Sequence, residues 1–208
     1  MTLRAIFCRP GSTWSGILAC CMFAGCASTP DTHFYTLGGQ PPVNQAPGTR
    51  QTGPAGAGVT ITALTIPELV DRPQLVLRSG GNRVSVLDNQ RWAESLKTGV
   101  AKVFATDLAA QLGTSAVGLP TDRSTRKGDV SVSIDITRFD STLNGTVQID
   151  ARWSVRGAGD APASSGSASA QEPSGATIDE VVAAYDRALA RIADALVRTV
   201  RQVVAGGR

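Results

Sequence analysis

The sequence predicts an α+β fold: an antiparallel β-sheet with two amphipathic helices packed on one face, in a single two-layer domain. Three observations predict it. Residues 129–139 and 147–155 alternate apolar with polar side chains, the pattern of strands with one wet face and one face on a core. Asn144-Gly145 lies between them, a dipeptide suited to a hairpin turn. Two further stretches, 92–112 and 178–203, repeat apolar residues every three or four positions, as helices with one buried stripe do.

The chain begins with a targeting pattern rather than a structural element. Arg4 and Arg9 give a positive start, and residues 14–23 are mostly apolar, the length of a signal-peptide core and too short to span a bilayer. Phe23-Ala24-Gly25-Cys26 follows, then a polar run. This resembles a lipobox, whose small residues fit a peptidase that cuts before a diacylated cysteine. Phe23 stands where such boxes usually carry leucine. Ile17-Leu18-Ala19-Cys20 is a second candidate, but it shortens the apolar run and leaves Cys21 and Cys26 as free thiols in an oxidising compartment. An uncleaved anchor helix is a third reading, weakened by Gly11, Ser12, Ser15 and Gly16. Cys26 is therefore the expected acylation site, with residues 1–25 as signal peptide. Three acyl chains exceed the reversible, single-chain regime of membrane binding. Ala27, just after that cysteine, resembles the outer-membrane sorting class.

Residues 26–58 are expected to hold the lipidated N-terminus, a short strand-like segment and a flexible tether. His33-Phe34-Tyr35-Thr36-Leu37 reads as an edge strand of the domain, or alternatively as a free docking peptide. Residues 38–58 are rich in Gly, Pro, Gln and Thr and hold too few large apolar groups to offset the entropy of ordering. The domain itself is assigned to 59–208, a usual size for one core. Residues 59–66 are β-branched and alternating, and Pro67 stops them. Residues 68–73 are turn-like, and 74–78 are extended with Leu75 and Leu77 on one face. Gly80-Gly81-Asn82 turns the chain into a short strand over 83–87. The helix over 92–112 follows, with Asp88 or Asn89 available as cap and Gly113 as stop. After the hairpin, residues 164–172 alternate serine with alanine and glycine, a weak edge strand. Thr177 and Glu180 form a capping box for the last helix, whose acidic start and Arg198 and Arg201 suit the helix dipole. Gly206-Gly207 closes it.

Composition removes several function classes. The net charge is +3, with no block of Lys or Arg, so no nucleic-acid partner is expected. All four cysteines, Cys8, Cys20, Cys21 and Cys26, precede the domain, and His33 is the single histidine. A disulfide framework and a Cys- or His-based metal site are therefore not expected, and no cofactor beyond the lipid on Cys26. No nucleophile lies beside a base in any recognisable spacing, and Ser79-Gly80-Gly81-Asn82 lacks the lysine of a phosphate loop. The expected catalytic set is none; His33 reads as a surface or packing residue.

The charged residues with the most to explain lie in two motifs. Ile66-Pro67-Glu68-Leu69-Val70-Asp71-Arg72-Pro73-Gln74-Leu75-Val76 resembles the "LPxYLDRPQIV" stretch of the transport auxiliary lipoproteins, the paraquat-inducible protein C family. Asn89-Gln90-Arg91-Trp92-Ala93-Glu94-Ser95-Leu96 resembles that family's "xxRWAEPL". Phe34-Tyr35-Thr36-Leu37 is similar to its "YYTL", and Asp150-Ala151-Arg152-Trp153 to its "xAxW" strand. The resemblance runs in order along nearly the whole mature chain. Leu69, Val70 and Ser95 replace the usual tyrosine, leucine and proline; no charged motif residue is changed.

The resemblance implies an accessory of a transport system in which an ATPase and permease work with an MCE-domain protein to move lipids between membranes. It implies anchoring at the periplasmic face of the outer membrane, docking on the MCE-domain protein and a homo-oligomeric ring. Asp71, Arg72, Pro73, Gln74, Arg91, Trp92 and Glu94 are the candidate residues. Either they order the loop after the first strand and the helix entry, since guanidinium and carboxylate can clamp two segments, or some of them face the partner. Trp92 and Trp153 fit core stripes. Two other functions stay open: a lipoprotein that itself cradles an acyl chain, and a stand-alone envelope-integrity lipoprotein. The apolar stripes look mutually filled, with no surplus lining for a pocket.

Overall fold

The computed structural model describes residues 31–39, 58–114, 117–120, 130–157 and 163–206. The expected signal peptide, Cys26, most of the expected tether and the expected 157–160 turn lie wholly or mostly outside the described residues. In chain order the elements are β1 (His33–Tyr35), β2 (Val59–Thr65), β3 (Gln74–Arg78), β4 (Val84–Trp92), α1 (Leu96–Leu112), β5 (Val117–Gly118), β6 (Val130–Ser141), β7 (Thr146–Arg156), β8 (Ser164–Pro173) and α2 (Ile178–Gly206). The fold is α+β.

The expected antiparallel sheet is corrected in two respects. There are two sheets, ordered β1-β4-β3 and β5-β2-β6-β7-β8, and both are mixed. β2 runs parallel to β6 and to β5, and β1 runs parallel to β4. The cause is connectivity. The chain leaves β2, makes β3, β4 and α1, and returns to the end from which β2 began; a crossover of that length yields a parallel neighbour. The hairpin β6-β7 is antiparallel as expected, with Asn144 at φ 50° in its turn, and β8 adds antiparallel to β7.

One face of the larger sheet is the core floor. Val130, Val132, Ile134, Ile136, Val147, Ile149, Ala151, Trp153 and Val155 are all buried on it. α2 lies across β6–β8, and α1 lies against β2, β5 and α2. The capping box of α2 forms as the sequence predicts: the Glu180 amide donates to Thr177 Oγ1 at 3.3 Å and the Thr177 amide donates to Glu180 Oε2 at 3.0 Å. Hydrogen bonds from the Thr177 amide, the largest cause, and from the Thr177 hydroxyl hold the Glu180 carboxyl below its usual pKa. Gly113 ends α1 in the left-handed conformation, its N–H on the Ala109 carbonyl.

Three boundaries differ from expectation. α1 begins at Leu96, not Trp92, and its N-cap is Ser95 without a side-chain cap bond, not Asp88 or Asn89. Residues 84–92 form one strand because β1 and β3 flank its end, a tertiary pairing that local spacing does not reveal. The last turn of α2 holds no basic residue, and the helix includes Gly206. Arg201 instead donates to the Gln111 carbonyl at 2.6 Å, satisfying an end group of α1 rather than of its own helix.

β8 is fastened to α2 by a buried carboxylate. Glu172 has 5% of its side chain exposed and takes Arg187 at 3.3 Å and Arg191 as partners, both arginines lying largely in solvent. Removing the arginines would strand a buried charge, whereas neutralising Glu172 would not. The double substitution Arg187→Ala/Arg191→Ala is expected to cost about 3 kcal/mol in urea unfolding. Glu172→Gln should cost clearly less; equal losses would contradict this account.

Candidate functional site

The motifs flagged in the sequence meet on the small sheet. β4 carries an irregularity at its end: Gln74 pairs with Arg91, yet the next residue, Leu75, pairs with Leu87. Residues 88–90 are thus released from β3, and β1 takes up the other side, with His33 opposite Gln90, Phe34 opposite Arg91 and Tyr35 opposite Trp92. Two backbone bonds close the junction. The Trp92 amide donates to the Pro73 carbonyl at 2.7 Å, and the Ala93 amide to the Tyr35 carbonyl at 2.8 Å. The Tyr35 hydroxyl donates to Gln90 Oε1 at 2.6 Å. Three stretches far apart in sequence are therefore bound together by main chain.

The candidate side chains divide by exposure. Asp71, Arg72 and Pro73 are exposed on the loop before β3; Gln74, Arg91 and Glu94 are half-buried; Trp92 is buried. The loop is ordered by its own backbone: Val70, Asp71 and Arg72 amides donate to the Pro67, Glu68 and Val70 carbonyls at 3.1, 3.2 and 2.8 Å. Among the described residues no ion pair joins Asp71 or Arg72 to Arg91 or Glu94. Arg91 Nε donates to the Asp88 carbonyl at 2.9 Å, bracing the released segment, and Glu94 pairs with Lys102 of α1 at 2.6 Å. The two motifs are clamped by peptide groups, leaving the Asp71 and Arg72 heads free for solvent or a partner.

Trp92 meets the rest of the molecule through aromatic rings. It stands edge-on to Tyr185 of α2, centroids 6.3 Å apart at 62°, and Tyr185 stacks on Phe139 of β6 at 4.1 Å and 10°. Val70, Leu75, Val76 and Leu96 complete the lining of a void with room for about one water molecule. Burial raises the pKa of the Tyr185 hydroxyl, so the phenol stays neutral.

Sequence reading did not single out an acidic group where the helices meet. Asp107 of α1 is half-buried, and its pKa is raised to about 6 by burial first, then by Asp194 and Asp186 of α2. Asp186, raised chiefly by burial, accepts the Gly38 amide at 2.8 Å, and Asp194 accepts from Gln111 at 2.6 Å. Gly38, at φ 71°, sits so close to Val103 that a Cβ would lie 3.2 Å from it, and Leu37 packs on Gly99. The segment after β1 thus straps across both helices. Only the three-dimensional approach of α1 to α2 reveals the acidic group. Among the described residues no cluster of His, Cys, Asp and Glu is arranged to hold a metal, and no helix is long and apolar enough to cross a membrane.

The model of the ABC-type transport auxiliary lipoprotein component family matches residues 35–197. The chain belongs to this family. The match takes in every motif residue from Tyr35 to the body of α2. Among solved structures, the crystal structure of an uncharacterized protein is similar with a TM-score of 0.62 at 15% identity, covering 82% of this chain and 99% of that one. Protein XCC0632 from Xanthomonas campestris, of the DUF330 family, is similar with a TM-score of 0.58 at 17% identity, covering 74% and 91%. At such identities these likenesses concern the fold. No curated protein matches.

Two outcomes test the packing of this auxiliary lipoprotein. Trp92→Ala removes the ring that joins the small sheet to α2 and is expected to cost about 3–5 kcal/mol in denaturant unfolding. For Asp107 the folded pKa lies above the unfolded one, so its contribution is favourable when protonated and is lost as pH rises through about 6. Asp107→Asn should therefore stabilise the protein by about 1 kcal/mol at about pH 8, after allowance for solvent screening, and barely at about pH 4. Equal effects at both pH values would rule this out.

Proposed function

We propose that this protein is a non-enzymatic docking subunit of an MCE-type lipid-transport system, acylated on Cys26 and held at the periplasmic face of the outer membrane. Membership of the auxiliary lipoprotein family supports attachment to an ABC-type transporter. The observation that carries the docking reading is the exposed Asp71-Arg72-Pro73 loop. Its charged heads have no ion-pair partner among the described residues, while its backbone is bonded into a turn and fastened to β4. A charged loop held rigid in this way loses little entropy on binding, which favours recognition of a complementary surface. The MCE-domain protein is the partner this reading names, and several copies of the lipoprotein arranged in a ring would present several such loops to it.

An acyl-chain cradle between sheet and helices finds less support. The void at the aromatic joint is far below the volume of a ligand pocket, and the core floor is filled by side chains. The proposed subunit needs no metal or organic cofactor beyond its lipid.

Capture of the MCE-domain protein by the acylated lipoprotein tests the proposal. Asp71→Ala and Arg72→Ala should each weaken capture roughly tenfold, about 1.4 kcal/mol, with the unfolding midpoint unchanged. Unaltered capture by the double variant would dismiss the loop as the docking element. Lipid co-purifying with a Cys26→Ala soluble form would favour the cradle instead.

A further inference from the structure

β1 places an aromatic side chain on the surface. Phe34 is 66% exposed, the most exposed of the large apolar residues described. Its neighbours in register are Arg91 of β4 and, one strand further, Gln74 of β3, so the three side chains share one side of the small sheet. β1 is also the first described element after the lipidation position. Residues 27–32 separate Cys26 from His33, and even fully extended this link spans at most about 25 Å. A folded domain of about 150 residues is roughly 40 Å across. A link shorter than the body keeps β1 on the side of the body nearest the anchor.

An exposed phenyl ring beside a guanidinium suits one environment at that distance. The ring can enter the boundary between headgroups and acyl chains, while the guanidinium pairs with lipid phosphate. Charges around the small sheet are mixed, with Arg72, Arg78, Arg83 and Arg91 against Glu68, Asp71, Asp88 and Glu94. Attraction to anionic lipid is therefore not the driving term, and a zwitterionic surface suffices. We infer that the Phe34–Arg91 side of the small sheet rests on the bilayer surface beside the lipid anchor. The inference depends on acylation of Cys26.

The acylated protein in phosphatidylethanolamine and phosphatidylcholine vesicles provides the test. In the mature chain Phe34→Cys supplies the single free thiol, because Cys8, Cys20 and Cys21 leave with the signal peptide and the Cys26 sulfur is a thioether. A bimane label there should be quenched by brominated acyl chains and shielded from aqueous iodide. The same label at Arg198→Cys, an exposed position on α2, should show the reverse. Vesicle flotation and intact mass report the anchor separately, so a missing acyl group is distinguished from a missing contact. In floated protein, iodide access at position 34 equal to that at 198 overturns the inference. Shielding that appears only when the MCE-domain protein is added also overturns it, making this side a protein interface.

Discussion

The structure depends on one stack of aromatic rings. Trp92 ends the small sheet, Phe139 lies in the large one and Tyr185 belongs to the last helix; their rings meet edge-on and face-on in a single buried contact. A small sheet of short strands is stable only with an apolar face to bury, and this one needs a surface to pack on. Tyr185 supplies it, while Leu75 and Leu96 fill the space around the rings. Aromatic contacts of this geometry contribute roughly 0.5–1.5 kcal/mol each beyond the area they bury. Position matters as much as magnitude: the flat contact joins α2 to β6, and the edge contact joins α2 to the end of β4. The motif loop and β1 inherit their positions from that end.

Two carboxylates inside the fold show contrasting solutions to burial. Glu172 is met by two arginines on successive turns of α2 that reach it from the solvent side, so the chain gains a fastening between edge strand and helix. Asp107 faces other acids across the helix pair, and burial without a cation raises its pKa. The difference lies in what stands one turn along α2. Arg187 and Arg191 point toward β8, whereas Asp186 and Asp194 lie toward α1. One helix thus presents a cationic side to the sheet edge and an acidic side to its partner helix, where the Gly38 amide takes up part of the negative charge.

Much of this was legible in the sequence, for local reasons. The β6-β7 hairpin shows in strict alternation and a turn dipeptide, and α2 in a capping box with a long apolar stripe. What escaped depends on partners distant in the chain. The spacing from Trp92 to Leu96 fits a helical turn as well as a strand ending just before a helix; pairing with residues 33–35 and 74 decides for the strand. α1 shows a blurred stripe because Leu37 and Gly38 cover a second side of it, so Gly99 is buried along with Val100 and Phe104. Parallel pairing of β2 with β6 leaves no local mark at all. The candidate residues were named by resemblance, and their proximity followed; the means did not, because backbone bonds at Pro73 and Tyr35 hold them where charged side chains seemed the obvious clamps.

The small sheet therefore has a mechanical place as well as a structural one. β1 forms one edge of it, and the Asp71-Arg72-Pro73 loop leads into β3 at the opposite edge, with β4 between them. Two strand spacings, about 10 Å, separate the edges. Every step across that distance is a main-chain bond: Tyr35 to Ala93, then Trp92 to Pro73. Side-chain contacts yield by rotamer changes, whereas laddered peptide groups yield only by local unfolding. A pull on the N-terminal segment is thus carried to the loop through bonds that stay fixed. The strap at Leu37 and Gly38 opposes peeling of β1 by fixing its far end to both helices. For the docking role proposed above, such stiffness serves better than a pocket would.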